Sequence, residues 1–188
     1  MDAVKKTTDQ AQYLGFYIAE EEYAIGILRV KEILEYDTIT KVPGTPPSIR
    51  GVINLRGSVV PVVDLALKFG LPESPITKRT CIVVVEVDLD GERTVMGVMA
   101  DAVSQVIDLG PEDVEPPPAF GTRVHMDYLL GMGKAGKKFI LLLDIDRVLS
   151  ANELLQAAAA VPEDPIPDTM PDRGLEAEAS PAAEQEAV

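Results

Sequence analysis

Residues 51–64, Gly51-Val-Ile-Asn-Leu-Arg-Gly-Ser-Val-Val-Pro-Val-Val-Asp64, decide the fold of this 188-residue chain. Apolar and β-branched residues fill both halves of the stretch, and Arg56-Gly57-Ser58 divides them, which is typical of two strands joined by a tight turn. Asp64 follows the second strand and is placed to cap a short helix over residues 65–69, which Gly70 ends. The sequence therefore predicts a strand–turn–strand–helix unit here.

Short strands of the same kind are predicted along most of the chain. The turns between them are short, which favours small barrels over a parallel sheet covered by helices. Residues 29–35 are the exception and are predicted to form about two helical turns, because Val30, Ile33 and Leu34 have helical spacing. Further strands are predicted over residues 14–18, 23–28, 80–87, 93–99 and 139–143.

Two parts of the chain resemble each other. Val30-Lys-Glu-Ile-Leu34 matches Val103-Ser-Gln-Val-Ile107 in pattern, 73 residues later, and Val62-Val-Asp-Leu65 matches Leu142-Leu-Asp-Ile145, 80 residues later. Such self-similarity predicts two related β-barrels, with a groove between them as a natural binding site. The alternative is that strand–turn–strand patterns coincide by chance.

The ends of the chain differ from its centre. Residues 162–188 hold eight acidic residues against one basic residue, Arg173, together with five prolines and no aromatic residue. Such a segment has too little apolar surface to offset the entropy of ordering. The predicted organisation is a flexible N-terminus (residues 1–11), a folded domain of two barrel subdomains that are either consecutive or interleaved in sequence (12–150), a C-terminal helix (151–161) and a disordered acidic tail (162–188).

Several classes of function are disfavoured by the composition. The net charge of −14 argues against binding to nucleic acid, which requires clustered lysine and arginine. The chain has one histidine, His125, one cysteine, Cys81, and no HExxH, CxxC or GxSxG motif, so neither a metal, a cofactor nor a catalytic triad is expected. No apolar stretch approaches the length of a membrane span, so a cytoplasmic protein without direct membrane insertion is expected.

The glycine-rich stretch Gly131-Met-Gly-Lys-Ala-Gly-Lys-Lys138 matches both GxGxxG and GxxxxGK. A phosphate-binding loop, however, needs a strand before the glycines and a helix after them. Here a predicted strand follows, and Lys138 stands where the second motif requires Ser or Thr. The stretch is therefore predicted to be the second copy of the strand–turn–strand unit, with a nucleotide-binding protein as the alternative.

Three segments carry a resemblance to a known family: residues 23–70, 95–118 and 128–149. Within them, the block from Val30 to Glu32, Gly51-Val-Ile-Asn-Leu-Arg-Gly57 and Pro61-Val-Val-Asp-Leu65 are specific. The chain resembles the CheW family of bacterial chemotaxis coupling proteins over nearly all of its length except the two ends.

The resemblance implies a mainly β fold of two five-stranded SH3-like barrels and a scaffold without catalytic activity. It further implies a cytoplasmic protein that couples methyl-accepting chemoreceptors to the histidine kinase CheA in signalling arrays. One barrel face would meet the regulatory domain of CheA, and the groove between the barrels would receive the helical tip of the receptor. Two related readings remain open, an adaptor of a non-flagellar pathway and a fragment of a larger protein with the same domain.

The family's functional positions correspond here to Val30, Glu32, Gly51 and Arg56. Glu32 and Arg56 are expected to pair, which would hold the predicted helix against the strand turn. The resemblance also places Ile33, Asn54, Leu55 and Gly57 on the partner surface, although core packing is an equal alternative for Ile33 and Leu55.

Overall fold

The computed structural model describes residues 10–117 and 124–149, which form mostly β-strands. The predicted C-terminal helix and acidic tail, and nearly all of the predicted N-terminal segment, lie outside the described residues. Two α-helices of four residues each, α1 (Leu65–Lys68) and α2 (Ile145–Val148), occur in the described part, with 3₁₀ turns at Ile27–Arg29, Pro111–Asp113 and Met126–Tyr128. The strands are β1 (Ala11–Ile18), β2 (Glu21–Gly26), β3 (Val30–Glu35), β4 (Ile49–Leu55), β5 (Ser58–Asp64), β6 (Cys81–Leu89), β7 (Glu92–Ala100), β8 (Ala102–Leu109), β9 (Val114–Glu115), β10 (Leu129–Ala135) and β11 (Lys138–Leu143).

The strands form two sheets that share the chain in an interleaved way. The first sheet has the order β8-β1-β2-β11-β10-β9 and the second has the order β3-β6-β7-β5-β4. The chain thus begins in the first sheet, builds the whole of the second, and returns. The two edges of each sheet approach each other. In the first sheet, β9 follows β8 and pairs with β10. In the second, Thr40 follows β3 and forms a bridge with Val52 of β4. The predicted mainly β fold with two barrels is confirmed, and the two-residue β9 gives the first sheet a sixth strand.

The two sheets repeat one arrangement. In each, a hairpin ends in a strand that lies parallel to a strand of the other half of the sequence: β5 pairs with β7, and β11 pairs with β2. Val62 lies opposite Gly97 and Leu142 opposite Ala24, so the offsets of 73 and 80 residues recur in the pairing. The order β3-β6-β7-β5-β4 therefore corresponds to β8-β1-β2-β11-β10, as the duplication predicts.

The predicted helix over residues 29–35 is wrong. Ile27–Arg29 forms a 3₁₀ turn, and Val30–Glu35 forms β3, which pairs with β6. In β3, partly buried residues alternate with exposed ones, as a strand requires. Six residues are too few for a helix to be stable alone, whereas the edge of β6 offers a hydrogen-bonding partner along its length.

Apolar residues form three cores. The largest lies between the two sheets and includes Phe16, Tyr23 and Val63. A smaller core fills each barrel, around Leu142 in the first and Val62 in the second. Because neighbouring residues of a strand point to opposite sides, β5 and β11 face a barrel interior on one side and the shared core on the other. This double burial accounts for their nearly continuous apolar sequences.

Asp64 caps α1, as predicted from the sequence. Its Oδ1 accepts hydrogen bonds from the backbone N–H groups of Ala66 (3.0 Å) and Leu67 (3.3 Å), and its Oδ2 lies 3.1 Å from Nε of Arg50. The contact with Arg50 is between charges and is not an aligned hydrogen bond. Burial raises the pKa of the Asp64 carboxyl, although the two backbone donors and Arg50 oppose this shift. The cap therefore also ties β4 to the end of β5.

Candidate partner-binding site

The turn between β4 and β5 places Arg56 at one end of the second barrel. Arg56 and Gly57 both have positive φ values, 51° and 86°, as the two central residues of a tight hairpin turn of this hand require. Oδ1 of Asn54 accepts a hydrogen bond of 2.9 Å from the backbone N–H of Gly57, which fixes the turn from within. A left-handed conformation at a residue with a side chain costs about 1 kcal/mol, so the turn holds Arg56 outward against a small strain.

Arg56 reaches the neighbouring end of the sheet and meets Glu32. Its Nη2 lies 3.3 Å from Oε2 of Glu32, which stands on β3. The structure thus brings the two residues together as the sequence predicts, but Glu32 is held by a strand rather than by a helix. Because 82% of the Arg56 side chain is exposed, the pair contributes only about 0–1 kcal/mol to stability. The guanidinium therefore remains accessible to a carboxylate of another molecule.

Gly51 makes the closure of the second barrel possible. It is buried, its φ is 147°, and an added Cβ would lie 2.1 Å from the carbonyl oxygen of Thr40. Thr40 and Val52 exchange two backbone hydrogen bonds of 2.9 and 2.8 Å across this point. The structure therefore gives Gly51 a role in bringing the segment after β3 against β4.

The other predicted site residues differ in exposure. Val30 is partly buried and packs against the core between the sheets, and Leu55 packs against the core of the second barrel. Ile33, in contrast, is 45% exposed. Core packing is therefore the better description of Leu55, whereas Ile33 is available at the surface, as is Val59 just after the turn.

A second surface was not predicted from the sequence. Leu28 is 96% exposed and lines a cleft of about 610 Å³ together with Leu130 and Ile145. Arg29 and Asp146 form an ion pair of 2.7 Å at this cleft, and Asp146 also accepts a hydrogen bond from the backbone N–H of Asp88. Large apolar side chains exposed side by side are typical of a protein contact. Leu28 lies in an apolar run, Ile25-Gly-Ile-Leu28, so its sequence alone does not distinguish it from a core residue.

Metal ligation and cysteine chemistry can be compared with the sequence expectations in the part of the chain that the structure describes. Within residues 10–117 and 124–149, no three His, Cys, Asp or Glu side chains are placed to hold a metal ion. Cys81 is buried, and burial raises the pKa of its thiol, which keeps it in the unreactive protonated form. None of the described helices is long and apolar enough to cross a membrane.

The glycine-rich stretch forms the β10–β11 hairpin. Its backbone pairs with β9 on one side and β11 on the other, and no helix follows the glycines directly. An added Cβ would lie 2.5 Å from the carbonyl oxygen of Glu115 at Gly131 and 2.5 Å from Cδ1 of Leu109 at Gly133. These glycines therefore serve close packing, and the arrangement differs from a phosphate-binding loop.

Residues 12–153 match the family model of the CheW-like domain. The chain belongs to the CheW family. Chemotaxis protein CheW of Klebsiella aerogenes is 38% identical to the chain over 143 residues, which cover 76% of this chain and 84% of that protein. Protein FrzA of Myxococcus xanthus is 30% identical over 142 residues, with coverage of 74% and 86%.

A solved structure supports the same assignment. The scaffolding protein TtCheW from Thermoanaerobacter tengcongensis superposes with a TM-score of 0.67 at 34% sequence identity, covering 76% of this chain and 90% of that one. The two-barrel fold is therefore the fold of the CheW family.

Gly51→Ala tests the closure of the second barrel. We expect this change to lower the free energy of unfolding by about 2–3 kcal/mol, because the new methyl group would collide with the backbone of Thr40. Gly44→Ala is the matched control, since Gly44 also has positive φ, 82°, but no atom lies within 4 Å of an added Cβ. Its expected loss is about 1 kcal/mol. Urea unfolding measures both, and equal losses would contradict the role given to Gly51.

Proposed function

We propose that this chain is a non-catalytic adaptor that couples methyl-accepting chemoreceptors to the histidine kinase CheA in cytoplasmic signalling arrays. Membership of the CheW family supports this proposal, and so does the exposed Glu32–Arg56 pair beside the barrel closure. The receptor and the regulatory domain of CheA are the proposed partners. An adaptor must hold two partners at once, and the chain presents two exposed surfaces of different chemistry.

The first surface, around Arg56, suits the helical tip of a receptor. The guanidinium projects from a turn that the barrel fixes, and its weak pairing with Glu32 allows exchange for a carboxylate on a partner helix. Val59, exposed just after the turn, adds apolar surface close to Arg56, and Ile33 adds more on the opposite side of β3 from Glu32. One charged anchor beside apolar residues is the pattern by which grooves bind amphipathic helices. Val30, Gly51 and Leu55 would support this surface from beneath, while Asn54 and Gly57 hold the turn.

The second surface, the cleft lined by Leu28 and Leu130, suits the kinase. Burial of one leucine side chain contributes about 1.5–3 kcal/mol to an association, so two such side chains are a substantial apolar contact. The Arg29–Asp146 pair at the same cleft supplies polar atoms that can fix orientation. A persistent complex with a domain of the same fold fits an apolar surface better than an exposed charge.

A closely related function has support in one comparison. Protein FrzA of Myxococcus xanthus is similar to this chain over most of both sequences. The same two surfaces would serve an adaptor in a chemosensory pathway that does not control flagella, with only the receptors and the output changed.

Arg56→Glu tests the receptor surface. We expect the variant to fold and to lower receptor-dependent activation of CheA at least about tenfold, because the new carboxylate repels both Glu32 and an acidic partner. The matched control is Arg93→Glu, since Arg93 is 81% exposed and its Nη1 lies 3.2 Å from Oε1 of Glu86. A kinase assay in the presence of receptor fragment measures both. Full activation by a folded Arg56→Glu protein would refute the assignment.

Leu28→Glu tests the kinase surface. We expect its affinity for CheA to fall about tenfold or more, because a carboxylate replaces about 1.5–3 kcal/mol of apolar burial. Binding to receptor fragment should stay within about twofold of the parent chain, since Arg56 is unchanged. Ile76→Glu serves as the control, as Ile76 is a half-exposed apolar residue outside the cleft. Titration calorimetry against each partner separates the two surfaces, and an unchanged affinity for CheA would be inconsistent with the assignment.

A further inference from the structure

The tip of the β10–β11 hairpin carries a group of exposed basic residues. Lys134, Lys137 and Lys138 surround the turn at Gly136. Arg79, from the segment before β6, lines a cleft of about 360 Å³ together with Lys138. With the neighbouring Lys78, these five residues define the basic tip, and all of them are exposed.

The basic tip lacks ion-pair partners among the described residues. Arg29, Lys31, Arg50, Arg56, Arg93 and Arg147 each pair with a carboxylate, but none of the five residues of the basic tip pairs with any residue in 10–117 or 124–149.

Acidic residues lie beside the basic tip on both sides of the hairpin, at the start of β2 and at Asp113, just before β9, and Glu115 within it. Oε1 of Glu22 accepts a hydrogen bond of 2.6 Å from Oγ of Ser104, and Oε2 of Glu21 accepts one of 2.8 Å from the hydroxyl of Tyr23. Both carboxylates are thus held by other groups. With Glu20 in the preceding turn and with Asp113 and Glu115, the neighbouring negative charges number five, equal to the five positive charges of the tip. None of these carboxylates forms an ion pair with a basic residue of the tip, so the basic groups stay available to another anionic segment.

Phe139 adds an apolar element to the basic tip. Its side chain is 53% exposed, and it lies directly opposite Lys134 in the β10–β11 ladder, so the two side chains share a face. Lys138 and Arg79 lie on the opposite face of the hairpin, since successive residues of a strand alternate. A segment that contacts both faces must pass around the turn at Gly136, with its carboxylates on the basic residues and an apolar side chain on the Phe139 ring.

The chain itself contains such a segment. Residues 162–188 carry a net charge of −7, and Ile166 and Met170 stand between Asp164, Asp168 and Asp172. The tail holds half of the chain's net charge of −14 in 27 residues. This concentration of negative charge makes the tail a better electrostatic match for the basic tip than the acidic residues of the folded domain.

The chain is long enough for this contact. β11 runs from Lys138 at the tip to Leu143, directly before α2, so the tip lies about 20 Å from the start of α2. Thirteen residues, 150–162, lie between Leu149 and Glu163, which makes fourteen Cα–Cα steps. Fully extended, this segment reaches about 45–50 Å, and the helix predicted over residues 151–161 would by itself span about 17 Å, so both conformations allow the contact. Because the tail is tethered to the folded domain, its effective concentration at the tip is in about the millimolar range, so even weak ionic contacts are populated.

We propose that the acidic segment of residues 163–178 binds the basic tip of the same chain. Its carboxylates contact Lys134, Lys137, Lys138 and Arg79, and Ile166 or Met170 packs on Phe139. The contact is electrostatic at an exposed site, so salt weakens it.

Carbodiimide cross-linking of the full chain tests the contact, because this reagent joins lysine amines to nearby carboxylates. We expect cross-links from Lys137 and Lys138 to the tail at a yield at least about fivefold above those from Lys41, which is also exposed and has no ion pair among the described residues. Raising NaCl to about 0.5 M should lower this yield at least about threefold. The yield should not change when the protein is diluted tenfold. Equal yields from Lys41, or a yield that falls in proportion to dilution, would overturn the proposal.

A neutral tail supplies an independent readout in a chain of unchanged length. The variant Glu163→Gln, Asp164→Asn, Asp168→Asn and Asp172→Asn should shift the backbone amide resonances of residues 133–139 at least about threefold more than those of residues 30–35. Shifts no larger than those of residues 30–35 would overturn the proposal. Vesicles that contain phosphatidylserine are the competing probe. The native chain could bind these vesicles, lose that binding on Lys137→Glu, and show no stronger binding with the neutral tail. That result would assign the tip to a lipid surface instead.

Discussion

The apolar core between the two sheets is the constraint on which the rest of the molecule depends. Strands β5 and β11 each bury one face in this core and the other inside a barrel, through adjacent residues such as Val62 and Val63 or Leu142 and Leu143. Neither barrel can separate from the other without exposing to water the face of each strand that packs in this core. Burial of this kind is the dominant favourable term in folding, so the two barrels behave as one frame.

The exchange of strands between the halves of the sequence reinforces this frame. The hairpin β1–β2 is completed by β8–β11, and the hairpin β6–β7 by β3–β5. A frame built this way can hold small surface features in fixed positions. The Arg56 turn depends on the internal hydrogen bond from Gly57 to Asn54, and its contact with Glu32 depends on the barrel closure at Gly51. Leu28 and Leu130 come from opposite ends of the described chain, yet they line the same cleft.

Local patterns in the sequence were sufficient for the hairpin of residues 51–64 and the cap at Asp64, whereas the pairing of Glu32 with Arg56 was expected from the resemblance to the CheW family. They were not sufficient for residues 29–35, because Val30, Ile33 and Leu34 fit helical spacing while the alternation that forms β3 needs β6 as a partner. The parallel pairing of Tyr23 with Leu141 joins residues far apart in the sequence, and no local pattern specifies it. The exposure of Leu28 depends on the same long-range arrangement, and so the second surface was not predicted.

Co-sedimentation of the full chain with CheA and a receptor fragment tests the central claim most directly. If the chain is an adaptor with two independent surfaces, CheA should enter the receptor pellet in proportion to the amount of chain added, and the chain should bind each partner in the absence of the other. CheA that sediments equally well without the chain, or a chain that binds only one of the two partners, would contradict the account.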